Sequence, residues 1–232
     1  MKRKLRHLKP LWGLLFCSIF VFSACLKEEN PLLLNSGDST IVLPIPYGKI
    51  PYDVVAEEIQ DSLLDHDFII NEGINPPMIN GSYLISPMII KYASDNYQNA
   101  FYDLAFQFAG QHPRGRLMYN EKQNNEAFGT ARNASVIGHD SLFTVYCVQT
   151  IVNTTGPHND TLYWCNTATI ISGKICDSGI VDCQYAYVLN DKYASSEEID
   201  NRLPEKGTYR MWQDGDGFAV KTSSLSAKNK AK

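Results

Sequence analysis

The chain has 232 residues, 44% of them hydrophobic, with 13 Tyr and 10 Phe. That supply of apolar side chains suits one folded domain with a real core and excludes wholesale disorder. Five positive charges crowd the start (Lys2, Arg3, Lys4, Arg6, Lys9), so a net charge of −4 overall becomes −9 for the remainder. A surface of that sign gains nothing from counterion release on phosphate, which argues against nucleic acid as a partner.

The cationic start runs into an apolar stretch, Leu11 to Cys25, that ends in the small residues Ser23 and Ala24. This is the layout of a secretory signal. The stretch falls short of the ~20 residues that span a bilayer core. Phe22-Ser23-Ala24-Cys25 resembles the lipobox of bacterial lipoproteins. The resemblance implies a signal peptide over 1–24 and a lipid on Cys25, which would tie the protein to a membrane. Leu26-Lys27-Glu28-Glu29 follows. A neutral residue beside the cysteine fits outer-membrane retention, and the acidic pair resembles the surface-export signal of Bacteroidota-type lipoproteins. The expected address is therefore the cell envelope, on the outer membrane, with surface exposure.

Residues 30–50 contain Pro31, Gly37, Pro44, Pro46 and Gly48. They complete an extended tether over 25–50. The folded domain is expected over 51–220, with a polar tail at 221–232. Pro51 opens a helical pattern in which Val55, Ile59 and Leu63 form one apolar stripe. The turn-forming Asn75-Pro76-Pro77 leads into a first strand that ends at Pro87, a residue placing it at an edge or a bulge.

From there the period is two. Tyr102, Leu104, Phe106 and Phe108 share one face of a strand over 101–108. Further strands are read over 114–122, 127–137, 141–151, 161–171 and 179–189, the last carrying Val181, Cys183, Tyr185, Tyr187 and Leu189 on one side. Ser195-Ser196-Glu197-Glu198 has the form of a capping box, with Pro204 as the stop. Gly207–Gln213 is read as the eighth and last strand, followed by the turn Asp214-Gly215-Asp216-Gly217. The fold class is thus mainly β, an antiparallel eight-stranded meander with an N-terminal helix. Such a meander is expected to close into a barrel with room inside for one small ligand; a two-sheet sandwich, the alternative, would give much the same pattern.

Six cysteines are present, of which Cys17 falls in the signal and Cys25 is the anchor. The remaining four suit disulfides in an exported chain. If the 141–171 hairpin turns near residue 156, Cys147 faces Cys165. A turn near Gly179 sets Cys176 against Cys183. Both pairings, Cys147–Cys165 and Cys176–Cys183, are expected on that register.

The turn and strand-start residues Asn75-Pro76-Pro77, Gly81-Ser82-Tyr83, Ala168 to Gly173, Gly207-Thr208-Tyr209-Arg210 and Asp214 to Gly217 are similar to those of Bacteroidota-type envelope lipoproteins, some of them lipocalin-like. Lipocalins place Gly-x-Trp on the first strand, where this chain has Tyr83, and an Arg of the last strand closes over that ring. The resemblance assigns this role to Arg210. The same bacteria attach O-glycans at Asp-Ser/Thr-apolar triplets. Asp61-Ser62-Leu63, Asp38-Ser39-Thr40, Asp140-Ser141-Leu142 and Asp160-Thr161-Leu162 have that form, and Ser141 and Thr161 are the accessible acceptors expected beside turns.

Chemistry is scarce in the sequence. His66, His112, His139 and His158 sit in turn-like surroundings without metal spacing, and no nucleophile elbow, phosphate loop or His-Glu-x-x-His segment occurs. Asp214 begins no calcium loop, because its twelfth position is Leu225. No catalytic residue, metal site or cofactor is expected. The aromatics Tyr163, Trp164, Tyr185, Tyr187, Tyr209 and Trp212 offer a core or, if they face a lumen, a pocket for an apolar molecule or a glycan. The reading is a non-catalytic, lipid-anchored envelope protein that binds a small apolar ligand; the alternative is a structural or adhesion component of a surface assembly, engaged in glycan capture.

Overall fold

The structure is a computed structural model that describes residues 48–99, 101–123, 127–155 and 160–225. The proposed signal 1–24, Cys25, the tether as far as residue 47, and His158 lie outside the described residues. The protein is mainly β; its described residues form ten antiparallel strands in one sheet and two helices. In chain order these are α1 (Glu57–Asp65), β1 (Gly81–Ile85), β2 (Met88–Ala93), β3 (Leu104–Ala109), β4 (Arg116–Gln123) and β5 (Ala127–His139). β6 (Leu142–Thr155), β7 (Asp160–Cys176), β8 (Gly179–Ala194), α2 (Glu197–Asp200), β9 (Tyr209–Asp214) and β10 (Phe218–Thr222) follow.

The strand order is β10-β1-β3-β4-β5-β6-β7-β8-β9-β2, and β10 also pairs with β8, so the sheet returns on itself as a ring. The expected eight strands become ten because two of them bend. β1 and β2 are separated at Ser86-Pro87, and β9 and β10 at 215–217. β1 pairs with β10 and β2 with β9, so the two bent strands run side by side. Proline has no N–H for the ladder, which breaks the strand where it stands. The bends meet: Gly215 N–H donates to Pro87 O at 2.8 Å. The Asp214 carboxylate accepts from Ser86 N–H at 3.0 Å and Asp216 N–H at 3.2 Å, satisfying donors that the interrupted ladder leaves over.

Alternation along the strands builds two cores. The inner face supplies Tyr83, Phe106, Phe108, Tyr119, Phe143, Val145, Ile171 and Trp212, all buried inside the ring. The outer face of β5 to β9 supplies Ile137, Tyr146, Ala168, Ile170, Ala186, Val188 and Met211, and the segment before β1 covers them with Ile50, Val55, Leu63 and Phe68. Helix α1 begins at Glu57 rather than Pro51, because 51–55 forms a turn in which Val54 and Val55 N–H donate to Pro51 O. Val55 and Leu63 are buried as the stripe implied, and Ile59 packs at the edge of the same core. The helix closes at Asp67 in the left-handed region (φ 65), with Phe68 N–H returning to Leu63 O.

After α1 the chain is strapped across the outer sheet face. Gln184 Nε2 donates to Asp67 O and its Oε1 accepts from Ile69 N–H, both at 2.8 Å. Asn71 Nδ2 donates to Phe143 O and Ser172 Oγ. Gly73 and Gly138 then meet backbone to backbone: a Cβ on Gly73 would sit 2.4 Å from Gly138 O, so only glycine permits this approach.

Candidate ligand cavity

The inner face is not uniformly packed. At the end of the ring formed by the C-terminal halves of β4, β6 and β8 and the N-terminal halves of β5, β7 and β9 lies a cavity of about 220 Å³. Glu121, Ile151, Tyr163, Cys165, Thr167, Tyr185, Tyr187, Leu189 and Arg210 project into it from the strands. Tyr97 and Phe101 come from the β2–β3 connection, and Arg202, Leu203 and Pro204 from the loop after α2. Ser196 caps that short helix, accepting from Ile199 N–H; the cap falls one residue later than a Ser195–Glu198 capping box would place it, with Ile199 and not a Glu at the third helical position.

Aromatic rings dominate the wall. Trp212 lies behind it, 5.3 Å from the Tyr187 ring, 5.8 Å from Tyr185 and 4.8 Å from Phe101. Of the six aromatics singled out in the sequence, Tyr163, Tyr185 and Tyr187 line the cavity and Trp212 supports it. Trp164 instead stacks on Tyr193. Tyr209 belongs to the outer core, 5.7 Å from Tyr92, with its hydroxyl bonded to Ser62.

One ionisable group sits deep among the rings. Glu121 is 5% exposed. Tyr119 and Tyr185 both donate their hydroxyls to its Oε2, the second at 3.2 Å. Burial pushes the Glu121 carboxyl above its usual range, and the hydrogen bonds from the two phenols and Gln149 only partly reverse this. Burial, together with the nearby Glu121, also raises both phenols, so they stay protonated donors. Sequence reasoning missed Glu121. Its one signal was a charge in phase with Leu117 and Tyr119 on the apolar face of a strand.

At the rim Arg210 makes a two-pronged contact to Asp95, Nε to Oδ1 at 3.1 Å and Nη2 to Oδ2, and its guanidinium lies 3.9 Å over the Tyr97 ring. The lipocalin-type expectation for Arg210 is therefore corrected. Tyr83 packs instead against Phe106 and Phe108, and its hydroxyl donates to Ile79 O. Arg210 points to the cavity end of β9, because Asp95 at the end of the β2 ribbon holds it there.

The disulfide expectation is also corrected: Cys147, Cys165, Cys176 and Cys183 are free thiols. In the β6–β7 ladder Cys147 faces Thr169 and Cys165 faces Ile151, since the hairpin turns later than residue 156. In the next hairpin Cys176 faces Gly179, and Cys183 lies beyond a bulge after Ser172. Burial pushes the Cys147 and Cys183 thiols up strongly and Cys165 to about 11, whereas bonds from Ser178 lower the half-exposed Cys176.

The other sequence candidates are scattered. Ser141 lies half-buried in the β5–β6 turn, after Asp140 with φ 53, and Thr161 is exposed on β7 opposite Thr154. His66 bonds Ser62 O and rests on the Tyr92 ring at 3.6 Å; His112 caps Arg114 N–H; His139 contacts Asp140. Among the described residues no three His, Cys, Asp or Glu side chains come together as a metal site. No family model matches the chain, and no curated protein or solved structure matches it either.

Proposed function

We propose that this protein is a non-catalytic, lipid-anchored envelope protein that holds a small, largely apolar ligand inside its closed sheet. The observation that carries the ligand is the contrast within one ring. One end is filled by Phe108 and Phe143, and the other keeps a cavity of about 220 Å³ lined by Tyr and Phe rings. A concave, mostly apolar space with a few converging polar groups is the usual form of a small-molecule site. The anchor rests on Phe22-Ser23-Ala24-Cys25 and the apolar run before it.

Native mass spectrometry tests the reading on protein extracted from its own membranes in detergent. A small molecule that stays bound and is lost on denaturation supports the carrier function. Ligand-free protein recovered with stable protein partners would favour the alternative, a component of a surface assembly.

A further inference from the structure

The cavity contains a carboxyl group that an apolar ligand leaves unused. Glu121 is 5% exposed, lines the cavity, and among the described residues takes part in no ion pair. The two arginines of the wall are committed elsewhere, Arg210 to Asp95 and Arg202 to Glu198. An ionised carboxylate held in such a place is strongly disfavoured unless a positive charge joins it.

The donors around Glu121 are all neutral: Tyr119, Tyr185 and Gln149. Its two phenol bonds converge on one oxygen, Oε2. Gly129 lets its neighbour Gln149 come close: a Cβ at 129 would lie 2.4 Å from Gln149 Oε1 and 2.7 Å from Glu121 Cγ. Gln149 Nε2 donates to Thr169 Oγ1, and its buried Oε1 accepts no hydrogen bond among the described residues. Buried acceptors without donors are rare in folded proteins and need a reason. Aromatic faces add a third element, since their negative π-clouds attract a cation, most strongly where water is excluded.

We infer that the ligand is a small primary arylalkylamine, its ammonium group on Glu121 and its ring among Tyr163, Tyr185 and Tyr187. An ammonium brings three donors and the missing charge. The size agrees: a cavity of ~150 Å³ takes benzene, and about 220 Å³ adds room for a short arm. The inference rests on the proposal that this cavity is the binding site.

The test is calorimetric titration of the full chain with 2-phenylethylamine, 2-phenylethanol and 3-phenylpropanoate, which share a ring and differ in the polar end. The amine is expected to bind at least about tenfold more tightly than the alcohol, as suits a charged hydrogen bond over a neutral one, and the carboxylate not to bind. Glu121→Gln should remove the preference for the amine while the alcohol still binds. Alcohol or carboxylate binding as tightly as the amine would overturn the ammonium assignment and leave the cavity reading standing; so would amine affinity unchanged in E121Q. Absence of binding by every probe, or binding unaffected by a cavity-filling Ala127→Trp, would overturn the cavity reading itself. Because the three-probe comparison is made on the unaltered protein, the assignment stays testable if E121Q does not fold.

Discussion

Two carboxyl groups set the pH behaviour of single residues. Burial pushes Glu121 up, and burial with the neighbouring Asp216 pushes Asp214 up to about 6. A carboxyl that binds its proton more tightly folded than unfolded favours the folded state in acid, and that contribution is lost as pH rises. For Asp214 the loss runs from its unfolded value near ~4 to about 6; for Glu121 it starts near the same point and extends upward. Asp95, held low by Arg210, acts in the opposite sense and only below pH ~4. The urea midpoint should therefore fall between about pH 4 and pH 7, and E121Q and Asp214→Asn should each flatten that slope. A midpoint that rises over this range in the unaltered protein would contradict the assignment. The thiols give a second residue-scale prediction. Iodoacetamide mapped by mass should label Cys176 in the native protein, and Cys147, Cys165 and Cys183 only after denaturation, because reaction needs an accessible thiolate.

At the scale of elements, the helix and strap before β1 act as a lid on the outer core. Leu63 is fully buried there while its neighbour Leu64 is 49% exposed. Leu63→Ala should cost about 2–5 kcal/mol, read as a fall in melting temperature, and Leu64→Ala should change it little. Asn71→Ala removes the side chain that binds Phe143 O and Ser172 Oγ, at a cost of about 1–3 kcal/mol, and hydrogen exchange should rise first at 69–75. The strands themselves were legible wherever one face is apolar, since a period of two reports burial directly. β2 and β10 escaped notice for a physical reason: each is the continuation of a strand past a bend, and β2 opens Met88-Ile89-Ile90, without alternation. The late turn of the β6–β7 hairpin had no signal either, and a slip of register is enough to separate Cys147 from Cys165.

For the whole molecule, closure is the decisive event. β8 is long enough to pair with β10 at its start and β9 further on, so one strand completes the ring and carries the extra ribbon. Closure pairs the strands of the ring on both sides, leaving β2 with β9 as its one neighbour in the sheet order, and creates an inside that separates a packed end from a hollow one. At this scale belongs the prediction for the anchor. Cys25→Ala should move the protein from the membrane to the soluble fraction on cell fractionation, and intact mass should lose the acyl chains. Membrane retention with an unchanged mass would remove the lipid anchor from the reading.

The sequence by itself determined the fold class, most of the strands and the apolar stripe of α1, because each depends on residues near one another in the chain. The tertiary structure alone decided that the ring closes, that the cysteines stand apart, that Arg210 joins Asp95, and that Glu121 lies buried among tyrosines. Glu121 meets Tyr185 across 64 positions and Arg210 meets Asp95 across 115. Such contacts depend on register summed over many strands, and local periodicity carries no record of that sum.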